Sequence, residues 1–291
     1  MAEKILEYEN NFIANLNEKC KKEPLSKEEQ KVLKELLVNT ILYGNTKVDK
    51  DTLAIFIHKY VLSQELFSPS DLLLYTQHLF IFLNENQGNN ITLKFTYTDA
   101  IMEARKTPNS GNTIKVDRAI FESEQTIKKK IFYKLLMEIT FDLLHETFHI
   151  RQFEYLTRVK NIEQEELFND LLIATNKKEY IKYHDSLLME RQANEYAINN
   201  LPYALQKIVP EEKLVSYQNR LRRKIKQKPS LKYIERQEQL IQEAKEKLTP
   251  ENVKILRKTY EKNKQAYACF LILSRISESN SLFLIISISY L

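Results

Sequence analysis

An uninterrupted helix pattern between Ile131 and Ile150 constrains the fold of this chain more than any other segment. The stretch contains neither glycine nor proline. Its apolar residues recur at steps of three and four, which is the spacing of a helix packed on a core: Phe132, Leu135, Leu136, Ile139, Leu143 and Phe148. Because the residues near its C-terminal end are also mostly uncharged, we expect a long helix that is buried on most sides.

The sequence His145-Glu146-Thr147-Phe148-His149 lies within this predicted helix. Residues four apart share one face of a helix, so His145 and His149 can bind one metal ion side by side. Glu146 lies next to them, where its carboxylate can take a proton from a metal-bound water. The pattern therefore predicts a zinc site with its own general base. The alternative is a pair of ordinary histidines on a core or surface helix.

A catalytic zinc takes three protein ligands, and we expect the third on a second helix. The best candidate is Glu190, and Asn194 one turn later can accept the free ring N–H of a ligating histidine. The rival ligands are His184, Asp185 and Glu195, together with Glu163, Glu165 and Glu166, which lie in a charged stretch more typical of a solvated face. Small Ala193 and Ala197 favour close helix packing, and Pro202 is predicted to end the helix.

The motif HETFH, followed by ERQANEYA and then by Leu201-Pro202, resembles the ImmA/IrrE-type metallopeptidases. The resemblance covers roughly residues 90–202. It implies that His145, His149 and Glu190 bind one zinc ion per chain and that Glu146 is the general base. It also implies a specific intracellular protein as substrate, such as a helix-turn-helix transcriptional repressor. The separation of His149 from Glu190 is longer than this family usually has, so the segment from Lys160 to Asp185 is interpreted as an inserted helical hairpin.

Only three glycines and seven prolines occur in 291 residues, which predicts a mostly helical protein. Alternation of apolar and polar residues predicts two strands, at 91–97 and 113–117, joined through a turn at Thr107–Asn112. We expect these strands to pair beside the motif helix, where an edge strand can bind an extended substrate. The predicted fold is α+β and predominantly α: a zincin-like core at 85–202 between a helical region at 1–84 and a basic helical region at 203–291.

The function predicted from these motifs is that of a zinc metallopeptidase. A second electrophile is expected to stabilise the oxyanion, and His184, Tyr183 and Arg191 are the candidates because they lie near Glu190 in sequence. One alternative is a zincin-fold regulatory protein that binds a partner without cleaving it. Another is a nucleic-acid-binding protein that uses a cluster of basic residues: Arg220, Arg222, Arg223, Lys224, Lys226 and Lys228. A solvated helix face explains the same cluster without a partner.

The remaining features predict a cytoplasmic protein. The N-terminus has no apolar run of the signal-peptide type, and Cys20 and Cys269 are far apart in sequence, as expected for reduced thiols. The apolar segment 281–291 is too short for a membrane helix and is interpreted as a buried terminal strand or helix, with a membrane tether as the alternative. His58 and His78 have no carboxylates at ligand spacing and are interpreted as structural.

Overall fold

The computed structural model describes residues 14–44, 49–87, 91–98, 101–107, 111–123, 125–155, 162–174, 176–225 and 228–247. These residues are mostly helical and include two small sheets, which confirms the predicted predominantly α, α+β class. The helices are α1 (14–22), α2 (Lys27–Tyr43), α3 (Lys50–Phe56), α4 (Pro69–Gln87), α5 (Lys129–Tyr155), α6 (Ile162–Ala174), α7 (Lys177–Tyr183), α8 (Leu188–Leu205), α9 (Glu211–Lys224) and α10 (Leu231–Lys247). The strands are β1 (Leu66–Phe67), β2 (Ile91–Thr96), β3 (Met102–Thr107), β4 (Gly111–Asp117) and β5 (Ile127–Lys128).

The chain forms two compact units. Among the described residues, the first unit contains 14–87, 93–98 and 116–140, and the second contains 91–92, 101–115 and 141–247. The division passes through α5, between Thr140 and Phe141. The predicted boundaries at residues 84 and 202 stay predictions.

In the first unit, α2 begins and ends at residues suited to those positions. Ser26 and Glu29 form a capping box, in which each side chain bonds to the backbone of the other residue. The helix ends at Gly44, whose φ of 64° is left-handed and is adopted by glycine without a Cβ clash. One face of α2 buries Leu33, Leu37 and Ile41 in the core of this unit.

A three-stranded sheet has the order β2-β4-β3, so that β3 lies at one end. Both predicted strands are present, as β2 and β4. Strand β3 was not predicted, because Met102–Thr107 contains two lysine or arginine residues and no clear apolar alternation. Residues 108–110 of the predicted turn lie outside the described part of the chain.

The predicted end of α8 at Pro202 is wrong, since the helix continues to Leu205. Proline has no N–H, so the carbonyl of Ile198 loses its partner within the helix. The side-chain amide of Gln218 on α9 donates to that carbonyl at 2.6 Å. This bond replaces the missing backbone bond and lets the helix pass through the proline.

The segment interpreted as an inserted hairpin contains the two helices α6 and α7. They pack with α8 and α10 around a buried apolar cluster in the second unit: Leu167, Leu171, Ile173, Ala174, Tyr180, Tyr183, Leu187, Met189, Tyr233 and Leu240. This cluster lies beside the N-terminal turn of α8, where Glu190 is found.

Over the described part of the chain, none of the helices has the length and apolar character needed to span a membrane. Cys20 is a buried free thiol. Cys269 and the apolar segment 281–291 lie outside the described residues.

Candidate metal centre

The structure brings His145 and His149 of α5 together with Glu190 of α8. The Nε2 atoms of the two histidines are 2.8 Å apart. The Oε2 atom of Glu190 is 3.2 Å from Nε2 of His145 and 3.4 Å from Nε2 of His149. All three side chains are fully buried. Within the described residues, no other group of three or more His, Cys, Asp and Glu side chains is close enough to bind a metal.

The other ring nitrogen of each histidine is held by a side-chain amide. His145 Nδ1 lies 3.0 Å from Oδ1 of Asn194 and donates to it in the tautomer that carries the proton on Nδ1. His149 Nδ1 donates to Oε1 of Gln152 at 2.8 Å. The orientation of the Gln152 amide is fixed, because its Nε2 donates to the carbonyl of Met189 and to Oε1 of Gln192. With Nδ1 protonated, a neutral histidine presents a lone pair at Nε2.

Two imidazole lone pairs and one carboxylate oxygen therefore converge on a single point. A tetrahedral zinc with bonds of about 2.0–2.1 Å places its ligand atoms about 3.3 Å apart, close to the spacing found here. Buried acceptors at such distances repel each other unless a proton or a cation lies between them. Two histidines and one glutamate form the donor set of catalytic zinc sites, which leave one position for water. The residues therefore fit a zinc ion.

The electrostatics of the three side chains are strongly coupled. Burial, together with neighbouring His149, lowers the pKa of His145 to about 4. Burial also disfavours the charged form of His149, but the Glu190 carboxylate outweighs it and raises the pKa of that imidazole. Burial acts against ionisation of Glu190 too, yet His149 and His184 hold its pKa well below the usual range. A cation at this point stabilises the same ionised carboxylate.

Glu146 is hydrogen-bonded to strand β3. Its Oε2 accepts the backbone N–H of Ala104 at 2.6 Å. Its Oε1 is buried and has no hydrogen-bond partner among the described residues. Burial raises the pKa of Glu146 to about 8. The carboxyl group is thus held at one oxygen. With a pKa of about 8 it is mostly protonated near neutral pH, and a cation bound beside it favours the ionised form, in which Oε1 can accept a proton.

Of the three candidates for the second electrophile, only His184 reaches the site. Its Nε2 is 3.1 Å from Oε2 of Glu190, while its Nδ1 is 3.2 Å from Oδ1 of exposed Asp185. Tyr183 is buried in the apolar cluster with its ring 5.6 Å from that of Tyr233. Arg191 donates from Nε to the carbonyl of Ser186 and lines a cavity of about 440 Å³ on another face of α8.

Two residues of the site were not predicted from the sequence. Gln152 orients His149, and the only available signal was its position three residues later on the same helix. Tyr180 of α7 donates its hydroxyl to Oε1 of Glu190 at 2.8 Å. No sequence pattern links Tyr180 to Glu190, because the contact depends on how α7 folds back on α8.

The other predicted ligands lie elsewhere. Glu165 and Glu166 on α6 and Glu195 on α8 are exposed, and the side chain of Glu163 lies outside the described residues. His78 is packed against the ring of His58 at a centroid distance of 5.8 Å in the first unit. The basic residues of the predicted patch are exposed on or near α9, apart from Lys226, which is not described: Arg220, Arg222, Arg223, Lys224 and Lys228.

Comparisons of the chain with protein-family models, with curated proteins and with solved structures found no match. The function of the chain is therefore inferred from the chemistry of the site itself.

Proposed function

We propose that this chain is a cytoplasmic zinc metallopeptidase with a zincin-like core, which hydrolyses peptide bonds in a specific intracellular protein. The observation that carries the proposal is the convergence of His145, His149 and Glu190 beside a buried carboxylate, Glu146, that has one available oxygen. The resemblance of HETFH and ERQANEYA to ImmA/IrrE-type enzymes supports the same class. It also makes a helix-turn-helix repressor the first substrate to examine.

His145, His149 and Glu190 hold the metal in this proposal. Bound zinc supplies a Lewis acid for the peptide carbonyl and lowers the pKa of water at its open position to about 7. Asn194 and Gln152 keep both Nε2 lone pairs directed at the ion by accepting the Nδ1 protons. The protein side of the site is therefore preorganised before any substrate binds.

Glu146 is the general base. Ala104 N–H fixes Oε2, so Oε1 is the atom that accepts the proton from the attacking water. The raised pKa, about 8, lets the same carboxyl deliver that proton to the leaving amine. His184 Nε2 lies 3.1 Å from Glu190 Oε2, and His184 is the proposed donor to the developing oxyanion.

Strand β3 is the proposed binding strand for an extended substrate. Among the described strands it pairs only with β4, which leaves its other edge unpaired in the sheet. A strand residue presents its N–H and C=O to the same edge. Since the N–H of Ala104 points to Glu146, its carbonyl lies on that same edge and can accept a substrate N–H.

The experiment compares the full-length chain with Glu146→Gln in a lysate of the native host, followed by enrichment of newly formed protein N-termini. We expect the parent to generate new N-termini and the variant to generate them on the order of 100-fold more slowly or not at all, with equal zinc content. Glu138→Gln, two turns earlier on α5 and partly exposed, is the matched control and should behave as the parent.

A zinc-loaded parent whose N-termini match those of Glu146→Gln would contradict the peptidase proposal. That result would favour the regulatory alternative, in which the same site binds a partner without cleaving it.

A further inference from the structure

The second oxygen of the Glu190 carboxylate is held by a helix outside the two that carry the site. Tyr180 on α7 is 4% exposed and donates its hydroxyl to Oε1 at 2.8 Å. This leaves Oε2 as the oxygen that faces His145 and His149. The tyrosine thereby selects which oxygen of Glu190 points at the candidate metal position.

The backbone that carries Glu190 is also held from outside α8. The residue that precedes this helix, Leu187, has no side-chain cap. Instead, Oδ2 of Asp170 on α6 accepts the N–H of Met189 at 2.9 Å, one residue before Glu190. Oδ1 of the same aspartate accepts the hydroxyl of Tyr233 on α10 at 3.0 Å. A carboxylate from another helix thus caps the first turn of α8.

Packing alone does not require these polar groups. Asp170 is 1% exposed and lies beside an otherwise apolar cluster of α6, α7, α8 and α10. A buried carboxylate is unfavourable unless hydrogen bonds compensate for its lost hydration. An apolar side chain of similar volume fills such a space at a lower free-energy cost. The polar groups converge on the one turn of α8 that presents Glu190, which indicates a role in orientation.

We propose that Tyr180, Asp170 and Tyr233 are positioning residues of the metal centre. Tyr180 sets the orientation of the Glu190 carboxylate, and the Asp170–Tyr233 pair fixes the first turn of α8 from which Glu190 projects. In this account α6, α7 and α10 are part of the site. From the sequence, the segment with α6 and α7 was interpreted as an inserted hairpin, and α10 belonged to the predicted C-terminal region. The inference rests on the proposed zinc site.

The test measures zinc affinity of the full-length protein by competition with a chromophoric chelator. Removal of groups that orient metal ligands typically weakens binding 10- to 100-fold. We expect a loss of that size for Tyr180→Phe and a smaller loss in the same direction for Tyr233→Phe, because the latter acts through Asp170. Tyr183→Phe is the matched control, since Tyr183 is a buried tyrosine of the same helix and cluster, and among the described residues no hydrogen bond joins it to Glu190. Its affinity should stay within about twofold of the parent.

Two further readouts separate positioning from general loss of structure. The visible spectrum of the cobalt-substituted protein should change in Tyr180→Phe, because a carboxylate released at Oε1 can bind the ion through both oxygens. The melting temperature of the metal-free variants identifies any that fail to fold.

Failure of the proposed positioning roles can be distinguished from failure of the zinc site itself. A parent that binds no zinc overturns the proposed function and this inference with it. A zinc-binding parent whose Tyr180→Phe and Tyr233→Phe variants bind zinc equally tightly, with unchanged cobalt spectra, overturns the inference and leaves the proposed function intact. An equal loss of zinc affinity in Tyr183→Phe would also overturn the inference, because it would show that the effect comes from packing.

Discussion

His78 is a half-buried histidine of the first unit, and we expect its titration to make the stability of the protein depend on pH. Burial, with a smaller contribution from His58, lowers its pKa to about 4 from an ordinary value of 6.5. Between these values the unfolded chain binds a proton that the folded chain does not. The stabilising contribution is therefore present above pH 6.5 and is lost as pH falls through the window toward 4.

We predict that His78→Phe loses less stability than the parent when pH falls from 7 to 4.5. The phenyl ring preserves the aromatic contacts with His58 and Tyr75 and does not titrate. The difference in free energy of unfolding between the two proteins should change by at most about 3 kcal/mol across the window. Urea denaturation at several pH values measures it. Parallel loss of stability in both proteins would show that His78 does not titrate in this way.

Residues of the site differ in how far the sequence could reveal them. His145, Glu146 and His149 share one helix, and Asn194 follows Glu190 by one turn, so helix periodicity was enough to place them. Gln152 was also within reach of that argument. Tyr180 and Asp170 were not, because their contacts with Glu190 and Met189 join different helices. Their positions in sequence did not distinguish His184, Tyr183 and Arg191 as candidates for the second electrophile. Only the tertiary packing shows that His184 lies against Glu190 Oε2.

At the scale of the elements, α8 continues through Pro202 because a neighbouring helix replaces one hydrogen bond. Gln218→Leu keeps a side chain of similar size but leaves the carbonyl of Ile198 buried without its donor. An unsatisfied buried acceptor costs about 1–3 kcal/mol, so we predict a loss of that order in the free energy of unfolding. Chemical denaturation measures the loss.

A double-mutant cycle with Pro202→Ala tests the cause of that loss. Alanine restores the backbone N–H that can bond to the Ile198 carbonyl within the helix. We therefore expect Gln218→Leu to destabilise the Pro202→Ala protein by clearly less than it destabilises the parent. Additive effects of the two substitutions would mean that Gln218 does not compensate for the proline.

The three-stranded sheet shows which strands can be predicted from the sequence and which cannot. Strands β2 and β4 alternate apolar and polar residues, so the pattern was enough to find them. Strand β3 has Met102, Glu103 and Ala104 buried in succession, which gives no alternation. Its conformation is fixed by pairing with β4, and such pairing depends on residues outside the strand itself.

At the scale of the whole molecule, the scarcity of glycine and proline predicted the predominantly helical class correctly. The border between the two compact units could not be predicted, because it passes through α5 at Thr140. A continuous helix has the same periodicity on both sides of such a border. The local sequence indicates which face of α5 is buried, but it does not indicate which other elements pack against that face.

The most direct test of the account is the zinc content of the purified full-length protein and of three variants. We predict one zinc per chain for the parent and for the control His78→Phe, and strongly reduced zinc for His149→Ala and Glu190→Gln at the same protein concentration. At free zinc 1,000-fold above its dissociation constant, the ion should add about 4 kcal/mol to the free energy of unfolding of the parent. A parent without zinc, or a His149→Ala protein that retains one zinc per chain, would contradict the central claim.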